Sequence, residues 1–505
     1  MPEYLAPGVY IEEIERGPKP IEGVATSTAA FLGETERGPL LPRLVTSYGE
    51  YLRLYGDIFA ADRYMPYAVK TFFDNGGIRC YVTRIVGEGA QPPAVELSGL
   101  TITALGPGAA YRQVWARILP GSTRGANGEP VGFRLRLDYW ANPAHVPDDA
   151  AGIDTAQPLP TWSEDFDDLS VDPASPAYFG KRINNFNSVL VEVTADEGIP
   201  LPAEGAARLD GTEDGGAVTS ASYEGSPDLR RPTGLAALDL DQFRSVAIVY
   251  APGCDYTTAQ AVVRHCERNR YRFAVVDSEP NQANAAGISP RDIVTDTKYG
   301  AFYYPWIYVS DPRSGTRKKI PPGGAVCGIY ALTDTNRGVF KAPANEVVAG
   351  AIDLEYEINQ ATQGVLNPNG VNALRRFPGR GIRVWGARTM SSDPLWKYVS
   401  VRRLFIFLEA SIYNSTQWVV FEPNDTRLWA RVKQTVTLFL RTQWREGALF
   451  GVKEEEAFSV AVGPETMTED DRRSGRLIIE IGVAPVHPAE FVVFRIFQKT
   501  QEAKS

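Results

Sequence analysis

The strongest constraint in this sequence is a β-α-β unit in its second half. SVAIVYAPG (245–253) is a continuous apolar run that ends in a turn, residues 256–269 have helical spacing, and YRFAVVDS (271–278) is a second apolar run. Two short apolar strands joined by one helix belong in a parallel sheet covered on both faces. FYYPWIYV (302–309) reads as a third strand of that sheet. The Gly/Pro-rich IPPGGAVCG leads into a helix near 325–334. Residues 236–385 are therefore expected to be an α/β core domain.

The same core begins earlier. VATSTAAFLG (24–33) reads as a small-residue strand, and Ser47 caps a short helix, SYGEYLRLYG, that Gly56 ends. A second helix over about 64–74 stops at Asn75-Gly76-Gly77 and feeds the strand RCYVTRIV (79–86). From about 91 to 235 the composition shifts to Gly, Pro, Asp and Ser, with VGFRLRLDYW and SVLVEVT as strands among turn-rich stretches. This reads as a β-rich insertion, and its acidic runs, Glu164 to Asp168 and Glu213-Asp214, read as a solvated face.

Beyond 386 a helix is expected over 395–413. A longer one, capped at Asn424 or Asp425, runs to Glu446 and is stopped by Gly447. Strands follow at AFSVAVG, RLIIEIGVAPV and AEFVVFRIFQ. The fold class is thus α/β and α+β multidomain, with segments at 24–90, 91–235, 236–385 and 386–488. An N-terminal extended arm (1–23) and a C-terminal strand and tail (489–505) flank them. The arm strands, with Tyr4, Val9, Tyr10, Ile11 and Ile14 at one end and Phe491, Val493, Arg495 and Phe497 at the other, have no hairpin partner nearby. They pair either with each other or with a neighbouring chain.

Composition excludes several classes. The chain has 505 residues, 52 basic against 61 acidic, a formal charge of −9, so charge-driven nucleic-acid binding is not expected. Four cysteines are too few for a disulfide scaffold and suit a reducing compartment. The N-terminus shows no signal-peptide pattern, and no run of about 18 apolar residues suggests a membrane span. The chain reads as one made and assembled in the cytoplasm.

No catalytic constellation is legible. Of three histidines, His145 lies in a loop, His487 beside Pro488, and His265 adjoins Cys266 on a helix, where the two side chains point about 100° apart. Ser278, His265 and Asp277 could be drawn as a triad, but no nucleophile elbow accompanies them. GRGIRVWG (379–386) superficially resembles a dinucleotide turn without the preceding apolar strand. No cofactor or metal is expected.

One pattern stands out. On a helical wheel of 425–446, Arg427, Arg431, Arg441 and Arg445 fall on one stripe, with Gln434 and Leu438 between them. Leu428, Trp429, Val432, Val436, Phe439 and Leu440 gather opposite. In an acidic chain, such a stripe points to an acidic partner surface or, more plainly, to a solvated face over a core.

Several segments together resemble the contractile tail sheath family of phage tails, contractile bacteriocins and extracellular contractile injection systems. They are YLAPGVYIEEI, GVATSTAAFLGETERGPLLPRLVTSYGEYLRLYG and FFDNGGIRCYVTRIV, then YYPWIYVSDP, PPGGAVCGIYALTDTNRGVFKAPAN and LNPNGVNALRRFPGRGIRVWGARTM. VRRLFIFLEASI, VFEPNDTRLWARVKQTVTLFLRTQWREGALFG and IGVAPVHPAEFV complete the set. Cys327 and Leu332 depart from the family pattern of a small residue and an arginine. The resemblance implies a non-enzymatic structural subunit that stacks as hexameric rings into a helical polymer around an inner tube and contracts to drive the tube through an envelope. Its partners would be further copies of itself, the inner tube protein, and baseplate and terminal cap proteins, with no nucleic acid and no membrane insertion. It also implies that the terminal arms act by β-augmentation between copies, that 91–235 is a variable outer insertion, and that Arg427, Arg431, Arg441 and Arg445 face the tube. The readings set against it are a soluble α/β enzyme and a non-contractile structural protein of the same particle.

Overall fold

The computed structural model describes residues 20–211, 215–228 and 230–495. The described residues divide into two compact units, one within 25–402 and one of 20–24 with 403–495.

The larger unit is built on an eight-stranded sheet. Its first elements are β1 (Ala29–Gly33), β2 (Arg43–Val45), helices α1 (Tyr48–Tyr55) and α2 (Met65–Asp74), and β3 (Cys80–Arg84). After the insertion come β11 (Ile248–Tyr250), α3 (Tyr256–Asn269), β12 (Phe273–Asp277), β13 (Gly300–Tyr304), α4 (Gly323–Arg337), β17 (Val371–Phe377) and β18 (Gly381–Val384). The strand order is β18-β17-β13-β12-β11-β1-β3-β2, parallel from β17 to β3 with an antiparallel strand at each edge. Ala29 of β1 pairs with Cys80 on one side and Ile248 on the other. Ala30, Leu32, Val249, Ala274, Val276, Phe302 and Ala373 are buried in one cluster over this sheet, as near-continuous apolar strands require.

Local signals account for the helices. Ser47 accepts from the Glu50 amide and Gly56 ends α1 at φ 84°; Asp255 accepts from Thr258 N at the start of α3. The expected strand FYYPWIYV is two strands. β13 stays in the large sheet, while β14 (Ile307–Ser310) joins β15 (Arg317–Ile320) and β16 (Ala351–Leu354) in a separate three-stranded sheet. Pro305, which has no amide hydrogen to donate to a ladder, separates them.

The insertion forms two antiparallel sheets. One has the order β10-β6-β7-β8, from Gly205–Arg208, Val114–Pro120, Phe133–Tyr139 and Trp162–Leu169; the other is β4-β5-β9, from Ala94–Leu97, Leu100–Ala104 and Val191–Ala195. Its acidic run is not wholly a solvated face. Glu164 is buried and accepts from Ser188 Oγ at 2.5 Å and Val189 N at 2.9 Å, and Asp167 and Asp168 accept from the amides of Ser122 and Thr123. Glu213-Asp214 lies outside the described residues. The insertion's root is fastened by buried arginines. Arg84 Nη1 donates to Gly38 O at 2.8 Å and Pro107 O at 2.5 Å. The Arg37 guanidinium stands 4.6 Å from the Tyr139 ring centroid and donates to Leu52 O and Arg53 O.

Two glycines let α2 and α4 approach closely. A Cβ on Gly324 would lie 2.6 Å from Ala68 backbone atoms, and one on Gly328 would lie 2.4 Å from Phe72 O. Backbone cannot step aside as a side-chain tip can. Gly328→Val is therefore expected to cost roughly 3 kcal/mol or more by overpacking, read as a drop in urea midpoint with unchanged m-value. A Gly364→Ala control, where a Cβ meets open space inside the helix Gln360–Leu366, should instead raise stability by about 0.5–1 kcal/mol.

Candidate assembly interface

Helix α5 (Val399–Ser415), whose residues from Arg403 onward belong to the smaller unit, leads by a loop to α6 (Thr426–Arg445). Asp425 caps α6 by accepting from the amides of Arg427 and Leu428 at 3.0 and 2.9 Å. The apolar face is buried as the wheel requires: Leu428, Trp429, Val432, Val436, Phe439 and Leu440. Trp429 packs with Val462 and Met467 and with partly buried Leu477, Ile478 and Ile479. It thereby seats the helix on the two-stranded sheet of β19 (Phe458–Val462) and β20 (Ile479–Val483). Trp429 Nε1 donates to Asn424 Oδ1 at 2.7 Å, and Asn424 in turn donates to Arg476 O at 3.0 Å, which fixes the loop before α6.

Arg427, Arg431 and Arg445 are exposed on α6, but the stripe is not free of acid. Arg441 is half-buried in a bidentate pair with Glu454, at 2.7 and 2.9 Å, from the helical turn Glu454–Ala457. The hydrogen bond from Arg441 holds the Glu454 carboxyl below its ordinary range and raises the guanidinium in return. The Arg431 guanidinium lies 4.5 Å from the Trp418 ring centroid. A wheel shows only one helix, so a partner thirteen residues downstream is invisible on it.

The sequence reading missed Phe421. It is fully exposed and held at φ 69°, a left-handed conformation unusual for an aromatic residue. The apolar triplet Val419-Val420-Phe421, followed by Glu422-Pro423 and the cap, was the available signal. Phe491, Val492, Val493 and Phe494 form a second exposed apolar run, each 69–83% accessible. The strand expected there is absent over 491–495, where Arg495 is also exposed; no ladder partner is offered within the described residues. Phe497 and the N-terminal residues Tyr4, Val9, Tyr10, Ile11 and Ile14 lie outside the described residues.

The catalytic candidates do not converge. Neutral His265 is buried, its Nε2 2.6 Å from Arg272 Nη1 and its Nδ1 3.6 Å from Asp239. Burial first, then Arg272, pulls its pKa down to about 3. Asp277 instead accepts from Tyr250 Oη at 2.5 Å and Gly323 N at 2.8 Å. Burial raises its pKa to about 7 despite those bonds. Gly379–Gly386 spans an antiparallel hairpin, not a strand-to-helix turn, so no phosphate-cradling amides are assembled there. Among the described residues no group of three or more His, Cys, Asp or Glu could hold a metal, and no helix is long and apolar enough to cross a membrane.

Two family models together cover residues 217–499: the phage tail sheath protein central domain over 217–390 and the phage tail sheath C-terminal domain over 391–499. The chain belongs to the tail sheath family. It is similar to a putative prophage major tail sheath protein of Pseudomonas aeruginosa strain UCBPP-PA14, 24% identical over 279 residues, 52% of this chain and 68% of that one. In three further tail sheath proteins from phages the match spans between 24% and 41% of the relative's length. The fold is that of solved contractile sheaths. The anti-feeding prophage helical sheath in its contracted state matches at TM-score 0.60 and 24% identity, covering 98% of this chain and 99% of that one. The sheath complex of an extracellular contractile injection system, PVC, also contracted, matches at 0.59 and 23%, covering 100% and 99%. As a sheath subunit this chain is a structural protein, and its mixed α/β layers with several sheets are those of the family's fold.

Asp277 gives a stability test with a defined sign. Its folded pKa is raised, so its favourable contribution is complete below about pH 4 and is lost as pH rises through about 7. The stability of the unmodified sheath relative to Asp277→Asn should therefore fall steadily between pH 4.5 and 7.5 in urea titrations. A parallel pair of curves would mean the carboxyl is ionised throughout.

Proposed function

We propose that this chain polymerises as stacked hexameric rings into a cylinder around an inner tube and contracts to drive that tube through a target envelope. The observation that carries the reading is the pair of sheath domain models tiling 217–499. The fold shared with two contracted sheaths over nearly the whole chain supports it. Baseplate and terminal cap proteins would bound the polymer, and the particle would be a phage tail or an injection machine assembled in the cytoplasm. The subunit would do no chemistry. Free energy stored at assembly is released by exchanging one set of inter-subunit contacts for another.

In this reading the arms are donated strands. A two-stranded sheet such as β19–β20 is marginal by itself, and an exposed apolar run at Phe491–Phe494 lies in the same unit. Strands from neighbours, carrying Tyr4, Val9, Tyr10, Ile11 and Ile14 or Phe491, Val493, Arg495 and Phe497, would extend sheets between copies and keep them connected during contraction. Residues 91–235 would face outward and 386–488 inward.

Arg427, Arg431 and Arg445 would touch the tube, with Arg441 aimed by Glu454. Exposed ion pairs contribute only ~0–1 kcal/mol each, so contacts repeated over many rings register sheath to tube and still break on contraction.

Purified alone and imaged by negative-stain electron microscopy, the protein should form hollow helical cylinders. Globules that stay monomeric even with the cognate tube protein would refute the sheath reading. Arg427→Glu with Arg431→Glu should leave the melting temperature within a few degrees of the unmodified protein and abolish sheathing of tubes; normally sheathed tubes would remove these residues from the tube contact.

A further inference from the structure

The end of α4, the segment after it and the β17–β18 hairpin meet in one basic patch. Arg337 closes α4, and Lys341 Nζ donates to Ala342 O at 2.6 Å and Ala344 O at 3.3 Å. One residue on, Asn345 receives two arginines of the hairpin: Arg383 donates to its backbone oxygen at 2.6 Å and Arg380 to its side-chain oxygen at 3.2 Å. Among the described residues the one carboxylate paired with any of these four is Glu346, 3.7 Å from Lys341. Four cations thus share one acid. Burial first, and Arg337 beside it, lower the pKa of Lys341 although Glu346 opposes the shift.

The helix dipole accounts for a cation at Arg337 but not for the rest. The other arginines of the same hairpin show what settled partners look like. Arg376 binds the carboxylates of Asp353 and Glu357, whereas Arg375 is half-buried and tied to Gln363 Oε1 and Ile358 O within its own unit. Among the described residues Arg380 and Arg383 reach only neutral oxygens, and Arg380 lies 5.7 Å from the Phe377 ring centroid on the exposed turn.

Charge is also divided unevenly along the chain. Residues 91–235 carry ten basic and twenty acidic residues, so this segment alone has a net −10 and the remainder a net +1. A polymer of identical subunits sets such segments near one another, and their repulsion falls where each meets a positive surface of the next copy.

We propose that the patch of Arg337, Lys341, Arg380 and Arg383 docks the acidic insertion, residues 91–235, of a second copy of this chain. The contact rests on the sheath reading and adds a charge-specified register between copies, separate from the strand-donating arms. Neither the matched folds nor the arginine stripe of α6 requires it.

The test uses full-length polymer, grown alone or on cognate tube from mixed ¹⁴N- and ¹⁵N-labelled subunits and treated with a carbodiimide. This reagent joins an amine to a carboxylate only where they touch. Lys341 should be joined across the two isotopes to an Asp or Glu within 91–235. Arg380→Glu with Arg383→Glu should melt with the unmodified protein, yet yield at least tenfold less polymer at low salt, with the gap narrowing as salt rises. Polymer in which Lys341 joins only Glu346 or acids outside 91–235 overturns the proposal, as does a double variant that assembles normally. Failure of the unmodified chain to polymerise under either condition defeats the sheath reading itself and this contact with it.

Discussion

The larger unit depends on β1 holding two distant parts of the chain together. Ala29 pairs with Cys80 on one side and Ile248 on the other. Ala29 to Leu32 are fully buried, so the strand has no solvent face to spare. Every later strand of the sheet is laid down from β11, and β11 is placed only because β1 presents a free edge in register. Closing so long a connection costs entropy that grows only slowly with its length. That is why a whole β domain can sit between β3 and β11 without weakening the sheet it interrupts.

Periodicity made the core elements legible, and pairing decided what it left open. α1, α3 and α6 were readable because each carries its own cap: Ser47, Asp255 and Asp425. The apolar β-α-β run was legible for the same local reason. FYYPWIYV was not, because hydrophobicity continues across Pro305 while the ladder stops there. The burial of Glu164 escaped because acidic residues read as solvated until a hydroxyl and an amide from 24 and 25 residues away are seen to satisfy them.

The candidate interface was legible in part for a similar reason. The stripe on α6 follows from one helix's geometry, whereas Glu454 reaches Arg441 from a different turn of chain. Phe421 was missed because a positive φ at an aromatic residue contradicts local preference, and only tertiary structure can impose it. Asp277 illustrates the converse. Beside Ser278 in sequence it invited a catalytic reading, but its two bonds to Tyr250 and Gly323 make it a brace between β11, β12 and α4.

The arginine staples at the root of the insertion have a mechanical consequence. Arg84 ties Gly38 to Pro107, and Arg37 lies against Tyr139 while bonded to the end of α1. A domain attached by two bare chain crossings would swing like a flag. Stapled in this way, it is a handle: a torque applied to its far end reaches the central sheet without slack, and a rotation of the sheet sweeps the insertion through an arc as a rigid lever.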